Sequence, residues 1–574
     1  MKLTPVVTAA VALIVGCSYG PTDPAGDSLP PGPAATLAPS AQAAAERISA
    51  GAIREVVAEI SSDAYQGRGP ATAGDRAARV YLATKLADAG FRPAAPDGGW
   101  EQPFDLVGIN ASQPASWTFT SGDDEVALEQ RAQFIVASGV QAPLARIRDA
   151  EVVFVGYGIQ APEYGWDDYK DADLSGKVLL MLNNDPDWDP DLFAGATRLY
   201  YGRWSYKYES AARQGAAGAI IIHTLESAGY PWQVVQTSWT GEQFELPAGD
   251  EPRLQTEAWV TEPAARELLE LAGIDLTELV AAARSSDFVP VPLSVRTSIE
   301  LENALSSVAT ANVLGILEGT DASLADEVVI YMAHHDHLGV AEPAPADSPE
   351  TDRIYNGARD NGSGVGMVAA IAQAFGALDA PPRRSILVAY VGAEEQGLLG
   401  SQFLAAQPVV PPGRMAAVIN FDNENIWGRT RDITFVGFGK SSLDTVAQTV
   451  GAAQNRTVVP DQFPDRGYFY RSDQFSLAKI GVPGMYVRSG TDFIGRPPGW
   501  GAEQNTIYER DHYHQPSDEL AADWDFTGMV DDARFGFFAG LLIADTDALP
   551  AWHPGDEFEA ARREALAEVA AKEP

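Results

Sequence analysis

The segment "SILVAYVGAEEQGLLG", residues 385–400, joins a short apolar run to two adjacent glutamates. A continuous apolar run of this length is typical of a strand buried on both faces of a mostly parallel sheet. Adjacent carboxylates repel each other, and a plain strand-to-helix turn requires neither of them. Glu394 and Glu395 therefore indicate a functional site at the end of this strand.

Three further runs of the same kind lie on either side: "EVVIYMA" (327–333), "MAAVINF" (415–421) and "GVPGMYV" (481–487). Segments with helical spacing separate them, including "GVGMVAAIAQAFGAL" and "LLGSQFLAAQ". Alternation of buried strands with helices predicts an α/β fold with a mostly parallel central sheet and flanking helices.

Polar residues follow several of these strands at the point where each one ends. The loop "HHDHLG" follows the first run, "NGARDNGSGVG" opens a helix, and "ERDHYHQPSDEL" lies near the carboxyl terminus. Ligands of open α/β sheets gather outside the carboxyl ends of the strands, so we expect these side chains to meet there. The residues are His334, Asp336, Asp360, Glu394, Glu395, Asp422 and His514.

The donor atoms of this set are imidazole nitrogens and carboxylate oxygens without sulfur, which suit zinc or another borderline divalent ion. Two imidazoles and three carboxylates are too many for one tetrahedral ion with an open position. They fit two ions that share one carboxylate. Each residue alone also has an ordinary explanation, such as a helix N-cap for Asp360. The ordered recurrence at strand ends favours the metal site.

Successive side chains of an extended segment point in opposite directions. One glutamate can therefore bind a metal while its neighbour faces the attacking water, which predicts Glu395 as a ligand and Glu394 as the general base. The same alternation places His334 and Asp336 on one face, with His334 as a ligand and Asp336 against its other ring nitrogen. The other histidines are expected to be structural or neighbouring residues: His223, His335, His337, His512 and His553.

The motifs "AHHDHLG", "RDNGSG", "GAEEQGLLGS", "NFD" and "YHQPSD", in this order, resemble metallopeptidase family 28. That family comprises di-zinc aminopeptidases related to glutamate carboxypeptidase and the transferrin receptor. "RSDQFSLAKIGVPGMYV" and the opening "DAYQGRGPATAGDRAARVYLATKLADAGFRPA" are similar to further family segments. The resemblance covers most of residues 46–545 and implies the zinc exopeptidase fold.

The resemblance also implies roles for individual residues. One zinc ion would take His334 and Asp422, the other Glu395 and His514, and Asp360 would bridge both. Glu394 would act first as base and then as acid, and the peptide bond after Asp360 would be cis. Tyr513 is a candidate to hold the oxyanion, with the tyrosines of "GYFYRSDQ" (467–474) as alternatives. Arg359 departs from the pattern, because many relatives carry an acidic residue there.

The chain divides into several parts. Residues 45–134 and 299–548 are expected to form the zinc peptidase domain, and residues 549–574 a C-terminal helix and tail. Residues 135–298 contain short β-rich runs with a helix between them, which predicts an α+β insert without a clustered titratable site. "VFVGYGIQAPEYGWDDY" within it resembles a protease-associated domain.

The first residues predict the cellular location. Residues 1–17 have a basic start, an apolar run too short to span a bilayer, and a terminal Gly-Cys pair, as in a bacterial lipoprotein signal. Cys17 would carry the lipid anchor, and residues 18–44, rich in Pro, Ala, Gly and Ser, would form a disordered tether. The expected location is the bacterial envelope, at the outer membrane or in the periplasm, or outside the cell. Cys17 is the only cysteine, which excludes disulfides within the chain.

A net charge of −39 argues against nucleic-acid binding. The sequence predicts a zinc-dependent exopeptidase, an aminopeptidase acting on peptides with a free N-terminus. A carboxypeptidase or dipeptidase of the same fold is an alternative, and would need a cation for the substrate carboxylate, for which Arg359, Arg471 and Arg488 are available. A binding protein without catalysis and a glutaminyl-cyclase-like enzyme are further alternatives.

Overall fold

The computed structural model describes residues 39–341 and 352–572. The strands of this part of the chain are β1 Arg92–Pro93, β2 Glu101–Ser112, β3 Ser116–Ser121, β4 Asp124–Glu129, β5 Phe134–Ser138, β6 Leu144–Phe154, β7 Gln160–Ala161, β8 Trp166–Asp167, β9 Val178–Leu182, β10 Gly218–His223, β11 Glu242–Glu245, β12 Thr256–Thr261, β13 Val291–Leu317, β14 Val328–His334, β15 Gly339–Val340, β16 Ile354–Tyr355, β17 Ser385–Val391, β18 Met415–Phe421, β19 Asp432–Val436, β20 Thr457–Val459 and β21 Gly484–Ser489.

The α-helices of the same residues are α1 Pro39–Ala45, α2 Ala50–Ile60, α3 Ala73–Asp88, α4 Trp204–Arg213, α5 Leu225–Ala228, α6 Trp232–Ser238, α7 Glu262–Leu271, α8 Leu276–Ala283, α9 Gly364–Gly376, α10 Leu399–Ala406, α11 Leu443–Ala453, α12 Gln474–Ala478, α13 Trp500–Asp511, α14 Thr527–Asp545 and α15 Glu559–Ala570. No helix among them is both long enough and apolar enough to cross a membrane.

The four apolar runs of the sequence form the centre of the main sheet. β17, β14, β18 and β21 are parallel neighbours in that order. β13 joins β17 antiparallel at one side, and β19 joins β21 antiparallel at the other. The mostly parallel central sheet predicted from the sequence is therefore confirmed.

Both faces of this sheet are covered by helices, which explains the continuous apolar runs. In β14, Val329 and Tyr331 pack into a core shared with α2, α9 and α14. The alternate residues Val328 and Ile330 pack into a second core on the opposite face, with α10 and α12. All seven residues of β14 are buried. The predicted α/β architecture with flanking helices is confirmed.

The helix α3 ends where the sequence predicts, at Gly90. This glycine has φ +85°, a left-handed conformation that disfavours other residues. Phe91 N donates to Leu86 O and Gly90 N donates to Ala87 O, which closes the last turn.

The insert begins earlier in the chain than the predicted residue 135. Trp117, Phe119 and Leu128, from the hairpin β3–β4, belong to the same buried core as the rest of the insert. The insert therefore starts after β2 ends at Ser112, and Leu301 is the last residue of its core. The boundary is hard to predict because β13 runs without a break from the insert into the main sheet, where it pairs with β2 from Ser112–Glu302 to Glu101–Val313.

The insert also contains a buried titratable cluster, contrary to the expectation from its sequence. Lys207 of α4 is fully buried, and its Nζ donates to Tyr157 O and Asn184 O at 2.6 Å each. Burial lowers the pKa of Lys207 and raises the pKa values of Asp168 and Asp185, whose charges interact with it. These residues are distant in sequence, so the cluster exists only in the folded insert.

The signal segment, Cys17 and most of the predicted tether lie outside the described residues. The end of the tether is described, and it is helical: α1 buries Ala41, Ala44 and Ala45 in the main core. The folded domain therefore starts before the predicted residue 45. The C-terminal helix is confirmed as α15, in which Arg562 is buried and donates to Met415 O at 2.9 Å.

Candidate active site

The register of the parallel strands brings the polar loops together. His334 ends β14 and lies beside Val391, the last residue of β17. Phe421, which ends β18, pairs with Val487 of β21. The residues that follow these strand ends therefore project from one edge of the sheet, as the sequence predicted.

Asp360 lies between the two predicted ligand histidines and presents one carboxylate oxygen to each. His334 Nε2 is 3.3 Å from Asp360 Oδ1, and His514 Nε2 is 3.4 Å from Asp360 Oδ2. His334 Nε2 is also 3.6 Å from Asp422 Oδ1, and His514 Nε2 is 2.9 Å from Glu395 Oε2. The five predicted ligands thus form two groups that share Asp360.

These distances fit divalent metal ions. Ligand atoms about 2.0–2.1 Å from a tetrahedral ion lie about 3.4 Å from one another. The buried Nε2 atoms of His334 and His514 have no hydrogen-bond partner among the described residues, although each faces carboxylate oxygens. Imidazole and carboxylate donors that face one another without other partners are the chemistry that zinc or a similar ion requires. The residues therefore fit the metal that the sequence predicts.

The two adjacent glutamates differ in their surroundings. Both oxygens of Glu395 lie close to a histidine: Oε1 is hydrogen-bonded to His337 Nδ1 at 2.6 Å, and Oε2 lies 2.9 Å from His514 Nε2. Burial and Asp360 raise the pKa of Glu395, but His514 and His337 outweigh them and lower it to about 2. The Glu394 carboxylate accepts no hydrogen bond from the described residues and approaches His334 Nε2 only to 4.0 Å. Its oxygens are free to hold a proton.

Burial raises the pKa of Glu394 well above its usual value. The nearby carboxylates of Glu395, Asp473 and Asp422 act in the same direction, whereas His334 opposes them. A carboxyl group in such an environment can both take up and release a proton, which a general base that later acts as an acid must do.

Asp336 lies close to His334, but its hydrogen bonds differ from the prediction. Its Oδ1 is 3.7 Å from His334 Nδ1, too far for a hydrogen bond. Instead, Asp336 accepts hydrogen bonds from the backbone N–H groups of Glu394 and Glu395, at 3.0 and 3.3 Å. Asp336 therefore orients the loop that carries the two glutamates.

His337 is a site residue that sequence analysis missed. Its Nδ1 contacts Glu395, and His337, Asp360 and Glu395 also form a compact group able to hold an ion. His514 fits the ligand role better, because its Nε2 faces oxygens of both Asp360 and Glu395. His335 is structural as predicted, with Nε2 3.0 Å from Asp75 Oδ1. The His512 ring is hydrogen-bonded to Ser517 at 3.0 Å and stacks on Tyr508, outside the ligand set.

Two further residues hold the loops and were not found from the sequence. Arg68 is fully buried, and its guanidinium donates to four backbone carbonyls, including His335 O at 2.8 Å and Gly357 O at 3.0 Å. Asp518 accepts the N–H groups of Arg359 and Asp360 at 3.1 and 3.0 Å. In these contacts Arg68 and Asp518 bind backbone groups and not the metal-binding side chains. A search of the sequence for metal ligands therefore does not identify them.

The loop before Asp360 requires a glycine. Gly357 has φ +54°, and a Cβ atom there would lie 2.2 Å from Asp360 O and 2.5 Å from the His337 ring. The peptide bond between Asp360 and Asn361 is cis, as the sequence resemblance implies.

Two open clefts, of about 580 and 590 Å³, flank the carboxylates. Tyr513 lines both clefts beside Glu394, and its ring stacks on His514 with centroids 3.9 Å apart. The hydroxyls of Tyr468 and Tyr470 donate to Glu509 and Glu557. Of the tyrosines considered from the sequence, Tyr513 is therefore the best placed to meet a reacting carbonyl.

The insert forms a wall of both clefts and contacts a predicted ligand. Tyr230 lines both clefts, and Ser238, at the end of α6, lies with its Oγ 2.7 Å from His514 Nδ1. A hydrogen bond at Nδ1 fixes the ring orientation and leaves Nε2 for Asp360 and Glu395. The insert therefore takes part in the site itself.

We expect Ser238→Ala to weaken Zn²⁺ binding by roughly 10- to 100-fold, because loss of a partner of a ligand histidine has this effect. The measurement is competition for Zn²⁺ against a chelator, with the dissociation constant as readout. Thr237→Ala is the matched control on the same helix, since Thr237 Oγ1 bonds only the helix carbonyls of Gln233 and Val234. Equal Zn²⁺ affinity of both variants and the unaltered protein would contradict a positioning role for Ser238.

Comparison with known proteins agrees with this geometry. Residues 312–570 match the model of peptidase family M28. Leupeptin-inactivating enzyme 1 of Streptomyces exfoliatus is 27% identical over 175 residues, which are 29% of this chain. The match spans 38% of the length of that curated relative.

A solved structure shares the fold. An aminopeptidase from Aneurinibacillus sp. strain AM-1 superposes with a TM-score of 0.52 at 16% identity, over 89% of this chain and 97% of that one. A peptidase M28 precursor from Shewanella amazonensis SB2B covers the same shares at 18% identity, with a TM-score of 0.47. Over residues 312–570, where the ordered motifs and the assembled loops lie, the chain is therefore similar to peptidase family M28.

Proposed function

We propose that the protein is a zinc-dependent aminopeptidase with two metal ions. The observation that carries this proposal is the contrast between the two glutamates. The Glu394 carboxylate accepts no hydrogen bond from the described residues, whereas the Glu395 carboxylate lies 2.6 and 2.9 Å from two histidines. His334 and Asp422 would hold one ion, Glu395 and His514 the other, and Asp360 would bridge them. Zinc bound there would polarise the scissile carbonyl and lower the pKa of the attacking water.

The side chains of the chain itself supply the remaining steps. Glu394 takes the proton from the attacking water and later delivers it to the leaving amine. The Tyr513 hydroxyl, beside Glu394 in both clefts, donates a hydrogen bond to the developing oxyanion. Asp336 keeps the backbone of Glu394 and Glu395 in place throughout.

The choice of an aminopeptidase rests on charge and on similar proteins. A free α-amine is a cation at neutral pH, and the cleft presents Asp360, Glu394 and Asp422 to it. A structure of the same fold is named an aminopeptidase. The predicted lipoprotein segment further supports an enzyme anchored at Cys17 in the envelope, acting on peptides outside the cytoplasm.

The test compares aminoacyl p-nitroanilides with a free amine and the same compounds after N-acetylation. We expect hydrolysis of the free-amine compounds only, loss of activity on chelation, and recovery on addition of Zn²⁺. Hydrolysis of N-acetylated substrates at equal rates would reject the aminopeptidase assignment. Absence of any hydrolysis by the zinc-loaded protein would reject a peptidase function.

A carboxypeptidase or dipeptidase is the second candidate, since three arginines line the cleft that also contains Glu394. Such an enzyme would cleave N-acetylated peptides with a free C-terminal carboxylate. N-acetyl dipeptides, as free acids and as amides, therefore belong in the same panel.

A further inference from the structure

The cleft beside Glu394 contains three arginines that no carboxylate neutralises directly. Arg359, Arg471 and Arg488 all line it, together with Asp360, Glu394 and Asp422. Among residues 39–341 and 352–572, no carboxylate oxygen lies within ion-pair distance of these three guanidinium groups. Three arginines without a direct ion pair in one cleft are unusual in a chain with a net charge of −39.

Arg359 is held rigidly with one donor group left over. Its Nε donates to Glu424 O at 2.9 Å, and its Nη2 donates to Asn505 Oδ1 at 2.9 Å. The residue is only 3% exposed, and its Nη1 has no hydrogen-bond partner in the described chain. An unpaired buried charge of this kind is costly unless a ligand supplies the missing acceptor.

Arg471 and Arg488 are held by aromatic rings and not by acids. The Arg488 guanidinium lies 4.1 Å from the centroid of the Tyr468 ring, and that of Arg471 lies 5.5 Å from the same centroid. Arg471 also lies 5.3 Å from the Tyr230 ring of the insert. Arg471 also interacts with the Tyr513 hydroxyl and Arg488 with the Tyr468 hydroxyl. Tyrosines thus position both guanidinium groups, and a guanidinium has five N–H donors, more than one hydroxyl can accept.

The arginines act electrostatically on a neighbouring tyrosine. Burial alone would raise the pKa of Tyr468, but Arg488, Arg466 and Arg471 outweigh it and lower that pKa. The positive charge of Arg471 and Arg488 therefore reaches the Tyr468 side of the cleft.

We propose that Arg359, Arg471 and Arg488 form a binding site for a carboxylate group of the peptide substrate. This rests on the proposed peptidase function and specifies its substrate class. The substrate would carry an ammonium group facing the acidic residues and a carboxylate facing the arginines, within a cleft of about 580 Å³. Planar guanidinium groups match carboxylates in shape and charge.

Two parts of a peptide can supply the carboxylate: the side chain of an acidic N-terminal residue, or the C-terminus of a short peptide. The first arm of the test compares glutamyl and glutaminyl p-nitroanilides, which lack a C-terminal carboxylate. The second arm compares leucyl-leucine with leucyl-leucine amide, which lacks an acidic side chain. Both arms use the full-length zinc-loaded protein, with kcat/KM as the readout.

We expect the carboxylate-bearing substrate to be preferred by roughly 10- to 100-fold in one arm, as for a charge-assisted hydrogen-bonded contact. The arm that shows the preference identifies the source of the carboxylate. Arg488→Gln and Arg471→Gln should each reduce that ratio towards one. Arg359 is not substituted, because its guanidinium also donates to the backbone carbonyls of Asn423 and Glu424, which directly follow Asp422.

The matched control is Arg431→Gln, which removes an arginine outside the cleft. Arg431 is paired with Asp492 at 2.8 Å, and its side chain is 55% exposed. The carboxylate preference should be unchanged in this variant. A preference that persists in Arg488→Gln and Arg471→Gln would overturn the assignment of the arginines.

Failure of this proposal can be told apart from failure of the proposed function. Hydrolysis of charged and neutral substrates at equal rates in both arms would overturn the carboxylate site and leave the peptidase intact. If no substrate is hydrolysed, the carboxylate site can be tested without catalysis. L-glutamate and L-glutamine are then each titrated into the protein in a calorimeter, and their affinities are compared. Glutamate binding that Arg488→Gln weakens by about 10-fold or more supports the site, and equal binding of both amino acids rejects it.

Discussion

Glu394→Gln should reduce kcat by roughly 10²- to 10⁴-fold while the protein keeps its bound zinc. The amide has nearly the shape of the carboxyl group but cannot take a proton from water. Metal content should not change, because Glu394 lies 4.0 Å from His334 Nε2, farther away than Asp360 at 3.3 Å and Asp422 at 3.6 Å. Steady-state kinetics and metal analysis of the same sample measure both effects.

Glu503→Gln, at an exposed position of α13, is the control for loss of a negative charge near the clefts. It should retain the activity of the unaltered protein. A Glu394→Gln enzyme with unchanged kcat would remove Glu394 from the role of general base. Loss of zinc from that variant would instead assign Glu394 to the metal site.

Asp360→Ala should have the largest effect on metal binding. Its two oxygens face different histidines, at 3.3 and 3.4 Å, so its removal takes a ligand from both groups. We expect the zinc content to fall from about two ions per chain to below about one, and hydrolysis to fall at least as far as in Glu394→Gln. Elemental analysis after gel filtration gives the stoichiometry.

Asp422→Asn provides the comparison, because Asp422 approaches only His334 among the ligand histidines, at 3.6 Å. This variant should lose one ion and retain the other. Circular dichroism of both variants establishes that they are folded. Equal zinc content in Asp360→Ala and the unaltered protein would contradict the bridging role of Asp360.

The sheet and the predicted ligands could be found from the sequence because the signals are local. Seven buried residues in β14 appear as one apolar run, and the same holds for β17 and β18. Polar residues come directly after these strands in the sequence, so the end of each strand also identifies the candidate ligands. Gly90 marks a helix end for an equally local reason, its left-handed backbone.

The insert boundary and the partners of the ligands could not be found in this way. β13 alternates between buried and exposed residues in the insert and becomes continuously buried in the main sheet, without a break in the strand. Ser238 and His514 are 276 residues apart, and Arg68 and His335 are 267 apart. Contacts over such separations depend on how whole domains pack, which no local pattern records.

The sequence by itself determined the parallel sheet, the loops at its carboxyl edge and a set of donor atoms suited to metal, since strand burial and residue order express these directly. The alternation of side chains also distinguished Glu395 from Glu394, but only the tertiary structure showed which groups face Glu395, because His337 and His514 come from separate loops. The tertiary structure also brought Arg359, Arg471 and Arg488 into one cleft. Arginines on separate segments of the chain can form one binding site only when the packing of the domain brings those segments together.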